Sequence, residues 1–252
     1  MSDQVVGYYS AHEAKLLKRL DDICLSMKNL IITRYDVNFA DNLLRDIHLE
    51  YQKLIPEIPY IKGIRAQFLN TFLIVTAQEL AAYKAMKKHG KSASEAWELC
   101  HQAIKIQMQT FPKWKRRLMR QFMFSGFIKK IMARREHSHQ KGHFGDFEIE
   151  YLAGNNDNFD IGVNYHQCGN YNFAIKQGCA DFAPYICMSD IALSDALGWG
   201  LTRTQTLADG CKYCDFRFKK GSSTNISSKT PEVNKIIRQL NNSSAVSHSD
   251  IN

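Results

Sequence analysis

The sequence predicts an α+β protein: a helical amino-terminal half, then an antiparallel four-stranded sheet domain with two inserted helices, then a polar tail. Three observations predict it. Apolar residues recur at three-and-four spacing through the first half, the period falls to two after His137, and from Ser222 the composition shifts to serine, asparagine and lysine. These shifts divide the chain into a helical region over 1–138, an α+β domain over 139–220 and a disordered tail over 221–252. With 252 residues, 44% hydrophobic and 11% of all residues aromatic, the chain can build a substantial core, which argues against wholesale disorder.

The first helix is predicted from Tyr8 to about Arg34, where Leu16, Leu20, Ile23, Met27, Leu30 and Ile31 form one apolar stripe. The second runs from Asn38 to Leu54 and stops before Pro56, because the residue preceding a proline is pushed out of helical geometry. A third spans about Gly63 to His89 and ends at Gly90, which can take a left-handed cap. Ser92 and Ser94 with Glu95 offer an amino-terminal cap for a fourth, closed by Pro112. From Pro112 to about His137 the apolar side changes: Trp114, Leu118 and Phe122 share one side, whereas Phe127, Ile128 and Ile131 lie on another. A break at Ser125 and Gly126 follows. This segment is densely basic, and its residues fit either a packed helix with a solvated basic face or a helix that meets nucleic acid or a membrane surface.

Beyond His137, Phe147, Ile149 and Tyr151 alternate with Glu148 and Glu150, and Phe159, Ile161, Val163 and Tyr165 alternate with Asp160, Gly162, Asn164 and His166. The intervening AGNNDN is a turn, so the two strands form a hairpin. A short helix over Gly169 to Gly178 and a longer one over Asp181 to Gly198, with Pro184 in its first turn, precede two more strands, Leu201 to Leu207 and Asp215 to Lys219. In the tail, Val233 to Leu240 is the one segment with helical character.

Charge and cysteine usage narrow the class. Seven cysteines, an odd number spread from Cys24 to Cys214, do not make the dense framework of a small secreted fold, and they read as reduced thiols. The start MSDQVVGYYS has neither the basic residues nor the apolar run of a secretory signal, and no stretch approaches the ~20 apolar residues of a membrane span. A cytoplasmic protein is therefore expected. The net charge of +8 permits acidic partners, but no nucleic-acid motif accompanies it, and nucleic acid is not an expected partner. Oligomeric state is not legible.

Chemistry points to Cys168. It stands where a strand turns into a helix, and the positive end of a helix favours the thiolate, the nucleophilic form. His166 shares its strand face, opposite Ile161, Val163 and Tyr165. The same pattern fits a buried structural thiol and a surface imidazole, and both readings stay open here. Cys211 and Cys214 form one C-x-x-C without a second, and His137, His139 and His143 are loosely placed in what reads as a linker. No metal and no cofactor is expected. Arg203 and Arg217, on the two late strands, are candidates to clamp a substrate carboxylate, with Thr204 and Thr206 as nearby hydroxyls. Arg203 and Thr204 point to opposite sides of a strand, so one pocket cannot take both without a bulge. The alternative is that both arginines are exposed and pair with Asp190 or Asp215.

The ordered set His166-Gln167-Cys168-Gly169, Cys187-Met188-Ser189-Asp190, Arg203-Thr204-Gln205-Thr206 and Cys214-Asp215-Phe216-Arg217-Phe218 resembles the L-2-amino-thiazoline-4-carboxylic acid hydrolase family. The resemblance is carried by the carboxy-terminal part of the chain. It implies hydrolysis of a carbon–nitrogen bond in a small cyclic amidine bearing a carboxylate, the founding activity opening a thiazoline ring to an N-carbamoyl cysteine. In that setting Cys168 is the nucleophile, Asp190 holds a cationic amidine or moves its proton, His166 is a possible base, and Arg203, Thr206 and Arg217 bind the substrate. A non-catalytic small-molecule sensor of the same fold is the alternative, and an adaptor working through the basic helix is a third.

Overall fold

The apolar stripes of the first half become helices packed around one central member. In this computed structural model, which describes residues 4–5, 7–63, 66–137, 142–144, 146–154 and 158–249, a 3-10 turn at Tyr8–His12 leads into α1 (Glu13–Arg34). It is followed by α2 (Val37–Leu54), α3 (Gln67–Lys88) and α4 (Ala93–Thr110). Helix α3 packs against both α2 and α4, and Leu73, Ala77, Leu80, Ala81, Ala85 and Met86 are all essentially inaccessible. Truncating Leu80 would cost about 2–5 kcal/mol, since a core this closed cannot collapse onto the void.

Local chemistry sets the helix ends. Asp36 accepts from Phe39 N at 2.8 Å to start α2. At α4, Ser92 Oγ accepts from Glu95 N (3.2 Å) while Glu95 accepts from Ser92 N (2.9 Å), the reciprocal box that the sequence pattern suggests. Gly90 takes φ +72° after α3, and Lys91 N closes on Met86 O at 2.9 Å. Buried Asn70 of α3 exchanges two hydrogen bonds with the backbone of Ile61 (2.9 and 2.8 Å), fixing β2 (Tyr60–Ile61), which pairs with β1 (Gln4–Val5).

The basic segment breaks as expected, into α5 (Lys113–Met123) and α6 (Gly126–His137). Then comes a sheet of β3 (Gly142–Phe144), β4 (Phe147–Ala153), β5 (Ile161–Gln167), β6 (Leu201–Arg203), β7 (Cys214–Phe218) and β8 (Asn225–Ile226), in the order β3-β4-β5-β7-β6-β8. The expectation of four antiparallel strands is corrected here. The sheet is mixed, because β8 runs parallel to β6 with Thr202 opposite Asn225 and Arg203 opposite Ile226. Its second added strand, β3, lies in the stretch read as a linker; His139 of that stretch falls outside the described residues. Strand β6 also ends at Arg203, short of the expected Leu207, because Thr206 caps a 3-10 turn at Leu207–Asp209.

Between β5 and β6 lie three helices where two were expected: α7 (Gly169–Lys176), α8 (Ala183–Ile186) and α9 (Ser189–Leu197). The longer predicted helix is interrupted where Met188 N bonds Tyr185 O, a three-residue closure that ends α8 beside the fully buried Met188 side chain. After Ser222, in the segment expected to be disordered, β8 adds to the sheet and α10 runs over Pro231–Ser249, with Val233 and Ile237 buried.

By contacts the chain divides into two compact units, each discontinuous in sequence. The first comprises 1–110, 144–146 and 168–189, and the second comprises 111–143, 147–167 and 190–252. The chain crosses from the second to the first between Gln167 and Cys168, and back between Ser189 and Asp190.

Candidate functional site

Strand parity sorts the sheet's side chains. The register pairs Gly162 with Arg217, Val163 with Phe216, Asn164 with Asp215, Tyr165 with Cys214, Leu201 with Phe218 and Thr202 with Arg217. Partners directly opposite share a face. One face therefore carries Ile161, Val163, Tyr165, Cys214, Phe216, Phe218, Leu201 and Arg203, and the other carries Gly162, Asn164, His166, Asp215, Arg217 and Thr202. Arg203 and Arg217, expected to form one clamp, stand on opposite faces.

On the apolar face, Arg203 is only 2% exposed, not a solvated strand residue. Its guanidinium lies 5.2 Å from the Phe216 ring centroid, and Nη1 donates to Asp190 Oδ2 at 2.6 Å. Phe216 in turn meets Tyr165 edge-on at 5.2 Å. The placement of Asp190 follows from α9. Ser194, one turn further along and fully buried, accepts from Leu201 N at 3.0 Å and from Thr224 Oγ1 at 2.8 Å, which pins that helix face to β6. Positions four apart share a helix face, so Asp190 is delivered to the end of the same strand. Burial outweighs the attraction of Arg203 and holds the Asp190 carboxyl above the usual carboxylate range. Arg203 Nε is buried and has no hydrogen-bond partner among the described residues. The guanidinium thus has one edge on a carboxylate and one donor still unmet.

The polar face is a closed network. His166 Nε2 and Asn164 Nδ2 both meet Glu150 Oε2 at 2.8 Å, and Arg217 Nη2 donates to Asn164 Oδ1 at 2.9 Å. Arg217 Nη1 also donates to Phe216 O at 2.9 Å, and its guanidinium covers Phe159 with 5.4 Å to the ring centroid. Gly162 makes room for this stack, since a Cβ there would come within 2.9 Å of Phe159 Cε2. Sequence reasoning missed Glu150, which fixes the His166 ring. The signal was present: Glu150 alternates with Ile149 and Tyr151 on the neighbouring strand of the hairpin.

Thr206 is buried and its hydroxyl is engaged, donating to Asp209 Oδ2 at 2.9 Å and accepting from Asp209 N at 3.1 Å. Asp209 Oδ1 then gathers Ser228 Oγ (2.6 Å), Lys229 N (3.1 Å) and both donors of Thr230 (3.2 and 3.1 Å). Those bonds outweigh its burial and keep Asp209 below the usual carboxylate range. Thr206 and Asp209 therefore organise the loop into β8. Cys214 is buried and its sulfur accepts from Leu207 N at 3.2 Å, a packing role within the same loop.

Cys168 belongs to the first unit. It is half-buried, has extended backbone (φ −129°, ψ 115°), and its carbonyl accepts from Asn172 N at 3.0 Å, so it stands at the amino-terminal cap of α7 as the sequence suggested. The same unit holds an internal polar pair, in which Ser189 Oγ donates to the buried Glu79. Among the described residues, no helix is long and apolar enough to cross a membrane.

Against known proteins, the chain matches the profile of the L-2-amino-thiazoline-4-carboxylic acid hydrolase family over residues 71–218. No curated protein and no solved structure matches it. The match begins within α3 and runs through β7, covering more than half of the chain and taking in His166, Cys168, Asp190, Arg203, Thr206 and Arg217, and the chain belongs to the L-2-amino-thiazoline-4-carboxylic acid hydrolase family.

Proposed function

We propose that this protein hydrolyses a small cyclic amidine that bears a carboxylate, with Cys168 as nucleophile. The observation that carries the reading is the Asp190–Arg203 pair, a carboxyl held above its ordinary range beside a buried guanidinium with an unmet donor, in a chain of this family. Arg203 takes the substrate carboxylate through its remaining donor, and Asp190 holds the amidine nitrogens or exchanges a proton with them. His166, tied to Glu150 on the face of the sheet opposite Arg203, stands apart from that pair, and the proton exchange is assigned to Asp190. Arg217 and Thr206 support the site through the framework bonds that already occupy them.

The steps balance as follows. The Cys168 thiolate adds to the amidine carbon, and the adduct collapses by breaking the ring carbon–sulfur bond, the departing sulfur taking a proton. Water then adds to the enzyme-bound amidino thioether and expels the Cys168 thiolate, leaving a ureido group and a new thiol on the product. An N-carbamoyl cysteine retains both nitrogens on that carbon, so opening the ring to it breaks carbon–sulfur. Breaking carbon–nitrogen at the exocyclic position would instead release ammonia and keep the ring closed.

The test incubates the protein with 2-amino-thiazoline-4-carboxylate and measures product thiol and ammonia in parallel. Thiol release, reduced on the order of 1000-fold in Cys168→Ser, is the expected result. Undiminished turnover in Cys168→Ser removes the nucleophile assignment, ammonia without thiol moves the cleavage to carbon–nitrogen, and saturable binding without turnover replaces the enzyme by a sensor.

A further inference from the structure

We propose that α5 is an interfacial helix that seats this protein on an anionic lipid bilayer, a property independent of the reaction above. On a helix of 100° per residue, Trp114, Leu118 and Phe122 follow one another at four-residue spacing, with Met119 at their edge. Such a stripe normally faces a core. Here it faces water: Trp114 is 63% exposed, Leu118 57%, Phe122 61% and Met119 43%, and α5 contains no buried residue. Phe127, the second residue of α6, is also 65% exposed. The half-buried positions of α5, Arg116, Arg120 and Met123, lie on the opposite side, and Phe124, just after the helix, is buried at 8%, so the stripe is the side turned outward.

The charge pattern selects the occupant. From Lys113 to Arg135 the sequence holds nine basic residues, Lys113, Lys115, Arg116, Arg117, Arg120, Lys129, Lys130, Arg134 and Arg135, and no acidic one. Lys113, Lys115 and Arg117 are exposed beside the stripe, and Lys115 Nζ lies 5.5 Å from the Trp114 ring centroid, its stem along the apolar surface and its charge at the rim. A folded protein partner would cover the apolar face but would need a wholly acidic rim to match it. RNA would use the charge but leave Leu118, Met119 and Phe122 in water. A bilayer with anionic headgroups satisfies both, with leucine and phenylalanine below the headgroups, tryptophan at their level and the basic residues among the phosphates. At about 1.5 Å per residue the helix is about 16 Å long, sufficient to lie in the interface and too short to cross it.

The experiment uses the full chain and vesicles of equimolar phosphatidylserine and phosphatidylcholine, with pure phosphatidylcholine vesicles as reference, in flotation at physiological salt. Partitioning at least about tenfold stronger to the anionic vesicles is expected, with a blue shift of tryptophan emission that disappears in Trp114→Phe, where Trp97 and Trp199 remain. Leu118→Ser with Phe122→Ser, and separately Lys115→Glu with Arg117→Glu, should each weaken partitioning by about tenfold or more while the circular dichroism spectrum is unchanged. The proposal is overturned by the absence of flotation with anionic vesicles, or by flotation that survives Leu118→Ser with Phe122→Ser. It is equally overturned if those serine variants convert a dimer to a monomer without changing flotation, which would assign the stripe to a second copy of the chain.

Discussion

The two faces of the sheet carry one arginine each, and the two residues differ in everything except type. Arg217 spends its donors on Asn164 and backbone carbonyls and lies over Phe159. Arg203, one strand away, is buried against Phe216 with Asp190 as its charged partner and Nε still unmet. Arg217 sits in a polar network, whereas Arg203 is buried with one donor unmet among the described residues, which is the ground for proposing it, and not Arg217, as the ligand's partner. The side of the strand, not the residue type, separates the two.

The largest expected effect breaks that contrast at its source. Arg203→Met leaves the Asp190 carboxylate without its counter-charge in a desolvated position, and should lower unfolding free energy by about 3–5 kcal/mol in urea titration. Adding Asp190→Asn should recover most of the stability but none of the activity. A loss under about 1 kcal/mol in the single variant would mean that water screens the Asp190–Arg203 pair and that its carboxylate is not desolvated.

The next contrasts that ion pair with a buried histidine whose charge is disfavoured by burial. His101 of α4 is 5% exposed, stacks on Trp97 with ring centroids 4.8 Å apart, and has no hydrogen-bond partner at Nδ1 among the described residues. Burial, aided by Lys105, lowers its pKa from 6.5 to about 4. A histidine depressed in the fold contributes stability that is fully present above 6.5 and lost as pH falls through 6.5 toward 4. The full loss, reached below pH 4, is about 3 kcal/mol. The stability difference between the wild type and His101→Gln, measured across that window, should shrink or reverse by that amount. A difference independent of pH would show that His101 is protonated in the fold.

Smaller effects test the framework. Arg217→Lys cannot reproduce the fork onto Asn164 and the backbone, and should cost about 1–2 kcal/mol in thermal melts while leaving substrate KM unchanged. A raised KM at unchanged stability would return Arg217 to the binding site. Thr206→Val removes the cap and the bond to Asp209, about 1 kcal/mol, with the loop into β8 loosened and detectable as faster amide exchange at Lys229 and Thr230.

What could be read from the sequence was what short range determines. The buried positions Leu16, Leu20, Met27 and Ile31 of α1, though not Leu30, which is exposed, the box at Ser92 and Glu95, and the break at Ser125 and Gly126 depend on neighbours within four residues. That Arg203 and Arg217 stand on opposite faces was not legible, because the face of each is set by register, a pairing of distant segments in which a shift of one residue reverses every side chain. The short strands β3 and β8 carry too few residues to show a period. Cys168 was legible as a strand-to-helix junction and Asp190 as a motif residue, but the bond from Asp190 to Arg203 depends on Ser194 docking α9 against β6. The basic segment could be placed but not interpreted, since no periodicity tells whether an apolar stripe ends up covered.

The interleaving of the two units has a consequence for biogenesis. A chain emerging from the ribosome exposes α1 through α4 first, but their unit is not complete until Ser189 has emerged, after both α6 and the β4–β5 hairpin. Neither unit corresponds to a continuous fragment, so a truncation at residue 138 would isolate helices lacking α7 and α8, not a domain. Folding during synthesis is therefore expected to wait, the first unit closing only once Ser189 has emerged and the second only once the strands after Asp190 have followed.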